Sequence, residues 1–168
     1  MGDQDGSSEA LLTAADAHWL REAIAASRRS RDAGQHPFAA LVVGADGTVI
    51  ARAGNEHSTD RTCHAELNAA RAASALHPPE HLRSATLYTS AEPCAMCSGG
   101  IYWAGIGRVV YALSEHSLLE MTGSDPENPT MSLPCREVFA RGQRAVEVVG
   151  PALEEEAAAV HQGFWKQR

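Results

Sequence analysis

Apolar residues recur at helical spacing from about Ser8 to Arg31, with Leu11, Leu12, Ala15, Trp19, Leu20, Ala23 and Ile24 on one stripe. A first helix is expected there, capped by Ser7 or Ser8 and ended by Gly34, with Trp19 in the core and His18 outside it. The pattern then shortens. Phe38 to Val43 is a continuous apolar run, the mark of a buried strand, and Asp46-Gly47 turns the chain so that Thr48 to Ala53 returns as its hairpin partner. Gly54-Asn55 breaks that strand, and the polar loop Glu56 to Thr62 follows. Helical spacing resumes at His64, with Leu67, Ala70, Ala73 and Leu76 on the buried stripe, Arg71 outward and Pro78-Pro79 as the stop. Ala85 to Thr89 and Arg108 to Ala112 read as strands on either side of a helix from Cys94 to Trp103. Crossing from strand to strand through a helix builds βαβ units, so this part of the sheet is expected to be parallel. Beyond it come a short helix (Ser114 to Met121), a long loop (Thr122 to Pro134) expected to fold over the strand ends, and a helical turn from Cys135 to Arg141. A strand (Ala145 to Val149) and a terminal helix (Glu154 to Trp165) complete the chain.

Strands alternating with helices define an α/β chain, and 168 residues suit one domain, 1–168, with 1–7 expected to be disordered. A 44% hydrophobic and 21% charged composition is that of a globular protein. The net charge of −7 disfavours nucleic acid as a partner, because nonspecific binding rests on neutralising phosphates with Lys and Arg. Arg28, Arg29 and Arg31 form the one basic run, read as the solvated end of the first helix. No segment is long and apolar enough to cross a membrane. The acidic start (Asp3, Asp5, Glu9) lacks the features of an export signal, which points to the cytoplasm.

The chemistry concentrates in Pro93-Cys94-Ala95-Met96-Cys97 and His64-Ala65-Glu66. A CxxC spacing at a helix start sets two sulfurs on one side of the first turn, where the dipole favours thiolate. Pro93, with no N–H to leave unpaired, suits that start. His64 supplies a third ligand, leaving one position of a tetrahedral zinc open, the arrangement of a catalytic site. Glu66, two residues on, can reach a water there without ligating the metal. HxE followed by PCxxC is the signature of zinc deaminases, in which the glutamate shuttles protons. His57 is not expected to ligate. Cys63 and Cys135 stay free thiols, with Cys135 a small buried residue.

The chain from Phe38 to about Trp165 resembles the cytidine deaminase-like superfamily, and within it the branch of bacterial guanine deaminases. The resemblance rests on the PFAALVV strand, Gly54-Asn55, His64-Ala65-Glu66, Tyr88-Thr89-Ser90, Glu92 to Cys97 and Ile101-Tyr102-Trp103-Ala104. It implies a three-layer α/β/α fold with a central mixed five-stranded sheet, one Zn2+ per subunit and a homodimer or larger assembly. Asn55, Phe38 and the backbone N–H of Ala65 are then expected at the base. An acidic residue after the fourth strand has Glu115, Glu120 and Asp125 as possible counterparts. Asp125 and Trp103 complete the expected substrate-binding set, although core or dimer interface is the favoured place for Trp103. Phe164 and Trp165 could cap a neighbouring subunit's site or pack the terminal helix. Guanine is the first substrate expected. Cytosine, cytidine or another aminated heterocycle is the alternative, with tRNA adenosine deamination or a non-catalytic zinc module more distant.

Overall fold

The computed structural model describes residues 12–166. In order along the chain run α1 (Ala14–Asp32), β1 (Ala39–Val43), β2 (Val49–Gly54), α2 (Ala65–Leu76), α3 (Pro79–Leu82) and β3 (Thr86–Ala91). Then come α4 (Ala95–Ala104), β4 (Arg108–Leu113), α5 (Glu115–Thr122), α6 (Cys135–Ala140), β5 (Glu147–Val149) and α7 (Glu154–His161). The five strands form one mixed sheet in the order β2-β1-β3-β4-β5.

The hairpin enters the sheet in a way that strand-to-helix counting does not foresee. β1 pairs antiparallel with both β2 and β3, whereas β3, β4 and β5 are mutually parallel. β2 and β3 therefore run in the same direction, as a crossover requires, but β1 lies between them. Alternate side chains of the central strands go to opposite faces. Ala40, Val42, Leu87 and Val109 meet Ala69, Ala73 and Ile101 of α2 and α4 on one face. Leu41, Val43, Tyr88 and Val110 meet Leu20, Ile24 and Val160 of α1 and α7 on the other. Three layers result, and covering both faces explains why β1 is buried at every position.

Several element ends differ from the sequence expectation. α1 starts at Ala14, not near Ser8: Leu12 and Thr13 are outside it, and Thr13 caps it in a box with Asp16. Ser7 and Ser8 lie outside the described residues. Trp19 is only half-buried. In α2 the buried residues are Ala65, Glu66, Ala69, Ala70 and Ala73, while Leu76 is 65% exposed. α7 ends at His161, short of Trp165. Gly163 takes a positive φ of 72° there, and Trp165 turns back so that its indole N–H donates to His161 Nδ1 at 3.0 Å.

Arg31 is only partly solvated. Its guanidinium donates to the carbonyls of Val160 (2.6 Å) and Gln162 (2.7 Å) and sits over the Phe164 ring, closing the end of α7. Arg28 and Arg29 remain exposed. Asp16, outside the apolar stripe, is buried and held by the Arg108 fork at 2.6 and 2.9 Å and by the Tyr88 hydroxyl at 2.8 Å. That triad ties α1 to β3 and β4.

Candidate zinc and substrate site

Two helix starts meet beyond the end of β3. His64 is the N-cap of α2 and Cys94 the N-cap of α4, so Pro93 stands just before the helix and not in its first turn. Neither cap uses its side chain to satisfy its helix; the imidazole and the sulfurs face one another instead. His64 Nδ1 lies 3.6 Å from Cys94 Sγ and 3.6 Å from Cys97 Sγ. A tetrahedral zinc with Zn–N near 2.05 Å and Zn–S near 2.3 Å sets that N···S edge at about 3.6 Å. The donors therefore fit zinc in spacing as well as in kind. Among the described residues the group holds these three ligands and no fourth, and neither His57 nor Cys63 joins it. Three protein ligands is the count of a catalytic site, where a structural site has four.

Proton placement around the donors follows from burial and mutual contact. Hydrogen bonding from Cys97 holds the Cys94 thiol down to about 4, against the pull of burial and with help from His64. The same pairing with Cys94, and then burial, pushes the Cys97 thiol up. Glu66, on the first turn of α2 and 5% exposed, is driven up to about 7 by burial first and the Cys94 charge second. Its Oε1 is 3.3 Å from Thr89 Oγ1 and its Oε2 3.8 Å from Cys97 Sγ.

A cavity of about 320 Å³ opens in front of these groups, lined by His64, Glu66 and Cys94 together with Phe38, Asn55 and Glu115. Loop residues 127–131 line it as well, so the loop between α5 and α6 does fold over the site. Asn55 Oδ1 accepts the His57 backbone N–H at 2.8 Å. Since that N–H can only donate, the amide orientation is determined, and Nδ2 is left as the donor that Asn55 offers. Glu115, the first residue of α5, is pushed up to about 8 by burial and then by Cys94, Glu92 and Glu66.

Phe38 and Asn55 are brought to the cavity as expected of them. Ala65 is buried as the first residue of α2, beside His64. Trp103 is not brought there: it is 82% exposed on α4. Asp125 is buried away from the cavity lining and accepts the N–H groups of Glu127 (2.9 Å) and Lys166 (2.6 Å). Phe164 and Trp165 pack on His36 of their own chain, with Trp165 also against Phe38, so they stand behind two residues of the cavity lining. Cys135 is fully buried and lies off the cavity lining.

Sequence reasoning missed His36, Arg61, Glu127 and Thr130 as lining residues and the bracing role of Glu92. Glu92 accepts the N–H of Glu115 at 2.9 Å and of Cys135 at 2.8 Å, tying the start of α5 to the start of α6. Its position directly before Pro93 was the available signal.

Three ligands for zinc, a buried carboxyl poised near neutrality and a cavity of nucleobase size in front of them define a hydrolytic zinc enzyme. Residues 13–113 match the family described as the cytidine and deoxycytidylate deaminase zinc-binding region, and the chain belongs to that family. It is 42% identical over 159 residues to a probable cytosine deaminase of Schizosaccharomyces pombe, covering 94% of this chain and 97% of that one. It is 44% identical over 91 residues to the guanine deaminase of Bacillus subtilis, covering 53% of this chain and 57% of that one. The solved structure of a guanine deaminase from Nitrosomonas europaea superposes with a TM-score of 0.71 at 28% identity, over 90% of this chain and 84% of the other. The protein is a hydrolytic deaminase of the cytidine deaminase-like superfamily, and its cofactor is zinc. Among the described residues no helix is long and apolar enough to cross a membrane.

Proposed function

We propose that this enzyme deaminates a small free nucleobase, with cytosine ahead of guanine. The observation that carries the reading is the buried Glu66 carboxyl beside the three zinc donors, lining a cavity with one amide donor, Asn55 Nδ2, on its wall. Zinc, when bound by His64, Cys94 and Cys97, polarises the attacking water. Glu66 takes a proton from that water and delivers it to the ring nitrogen beside the amine-bearing carbon, N3 in cytosine, as the water oxygen bonds to that carbon. Glu66 then takes the remaining proton from that oxygen and hands it to the exocyclic nitrogen; the C–N bond breaks, ammonia leaves and the C–O bond becomes a carbonyl. A carboxyl held near 7 both accepts and donates at neutral pH, as this cycle needs. Asn55 Nδ2 complements a ring carbonyl such as O2 of cytosine.

Preference for cytosine over guanine is supported by the yeast relative, which matches over nearly the whole length of both chains. The guanine reading is supported by the fold and size match to the Nitrosomonas enzyme. Ammonia release by zinc-loaded protein is expected to be fastest with cytosine in a panel with guanine, cytidine, adenosine and a tRNA anticodon stem-loop. Guanine as the best substrate would reverse the order of the two readings, and turnover of the stem-loop alone would sink both.

We also propose that the chain works as a homodimer through α4. Met96 (38% exposed), Gly99 and Trp103 (82% exposed) follow one another at helical spacing on its outer face, and a Cβ at Gly99 would meet open space. Light scattering on the eluting protein is expected to give twice the 17.9 kDa chain mass, and Trp103→Glu to halve it. A wild-type mass of one chain at all concentrations would remove the proposal.

A further inference from the structure

A second group of metal-ligating side chains stands on the rim of the same cavity, apart from the zinc donors. His36 comes from the turn between α1 and β1, His57 from the loop after β2, and Glu127 from the loop between α5 and α6. Both imidazole Nε2 atoms converge on one carboxylate oxygen: His36 at 3.3 Å and His57 at 3.1 Å from Glu127 Oε2. The two rings lie stacked, 3.9 Å apart and 19° from parallel. All three donor atoms fall within 4.8 Å of one another.

Each donor is held in place by something other than its neighbours in the cluster. The His36 ring is buried and packed edge-on by Phe164 (5.8 Å) and Trp165 (5.2 Å). The His57 backbone is pinned to Asn55, and the Glu127 backbone to Asp125. A tetrahedral cation with N and O ligands near 2.05 Å sets donor separations of about 3.3 Å, which the two N···O separations match; the stacked rings have to swing apart for both lone pairs to reach one ion. Two imidazoles and one carboxylate form a ligand set that suits Zn2+, Co2+ or Ni2+ and lacks the thiolates of the first site.

We propose that His36, His57 and Glu127 bind a second divalent transition-metal ion, which fastens the loop 123–134 to the β1–β2 side of the cavity mouth. Loop and wall then share one ligand sphere, so the ion governs how freely the cavity opens. This inference does not depend on which base is the substrate.

Protein already loaded with one zinc per chain is titrated with Co2+, followed by calorimetry and visible absorption. One further equivalent is expected to bind, with ligand-field bands and no sulfur-to-cobalt charge-transfer band, since no thiolate is involved. His57→Ala and Glu127→Gln, each still holding its one zinc, are expected to lose that equivalent. Proteolytic cleavage within 123–134 should slow by up to ~100-fold at Co2+ near 100 times its Kd in wild type, and stay unchanged in both variants, as mass action on an opening equilibrium requires. The proposal is overturned if wild type takes up no cobalt beyond exchange at the first site, which a thiolate band would reveal. It is equally overturned if either variant keeps the second equivalent, as when the contacts are hydrogen bonds only.

Discussion

Zinc-loaded Glu66→Gln is expected to lose at least ~10²-fold in kcat while keeping its metal and its fold. Glutamine preserves the side chain's length but can neither take a proton from water nor pass one to the leaving nitrogen. The metal should stay, since the donors are His64 and the two cysteines and the glutamate stands outside that group. Stability should hold or rise, because a carboxyl that burial pushes up to about 7 is replaced by a neutral amide in the same space. Steady-state rates on the best base of the panel, zinc content and a thermal melt check the three parts separately. Undiminished turnover by a zinc-loaded variant would take Glu66 out of the chemistry, and loss of zinc would make it a ligand.

Asp16→Asn is expected to cost about 1.5–3 kcal/mol at pH 7, because the half-buried Arg108 guanidinium loses the carboxylate that holds it bidentately and, among the described residues, keeps only Glu147, at 3.3 Å, as a counter-charge. For a chain of this size that corresponds to a fall in Tm of roughly 3–12 °C. Burial alone would raise the Asp16 carboxyl. The Arg108 fork, the Thr13 N–H and the Tyr88 hydroxyl outweigh it and hold the group well below the ordinary 3.8. The sign follows from that direction. A carboxylate whose folded value is depressed stabilises the fold fully above the unfolded value of about 3.8, and the contribution fades as pH falls below it toward the folded value. Urea unfolding at pH 7 and at pH 3 should therefore show a gap between wild type and variant that narrows in acid. A gap under ~1 kcal/mol at pH 7, or one equal at both pH values, would mean that the triad does not anchor α1. The exposed Arg21–Glu156 pair, also bidentate, contributes little because water screens it.

These two carboxylates differ in how far the sequence reveals them. Glu66 is marked by its place two residues after a histidine and upstream of PCxxC, a pattern dictated by ligand chemistry. Asp16 carries no such mark. It sits in the first turn of an amphipathic helix, where an acidic residue commonly serves as a cap partner, and only the approach of β4 shows that Arg108 shares it. The same holds for β1, whose apolar run announces a buried strand but not its insertion between β2 and β3.

What the sequence determined by itself was the set of local decisions: the strand and helix segments, the tight turn at Asp46-Gly47, and the zinc donors with their attendant glutamate. Each rests on periodicity, on turn chemistry or on ligand spacing within a short stretch. Tertiary structure alone decided what depends on segments far apart in the chain. It brought Glu127 to two histidines about seventy and ninety residues away, packed Trp165 behind His36 and Phe38, left Trp103 outside, and turned the Asn55 acceptor toward the chain and its donor free. A residue's type limits which bonds it can make, but the partner and the direction of each bond are set only when the layers pack.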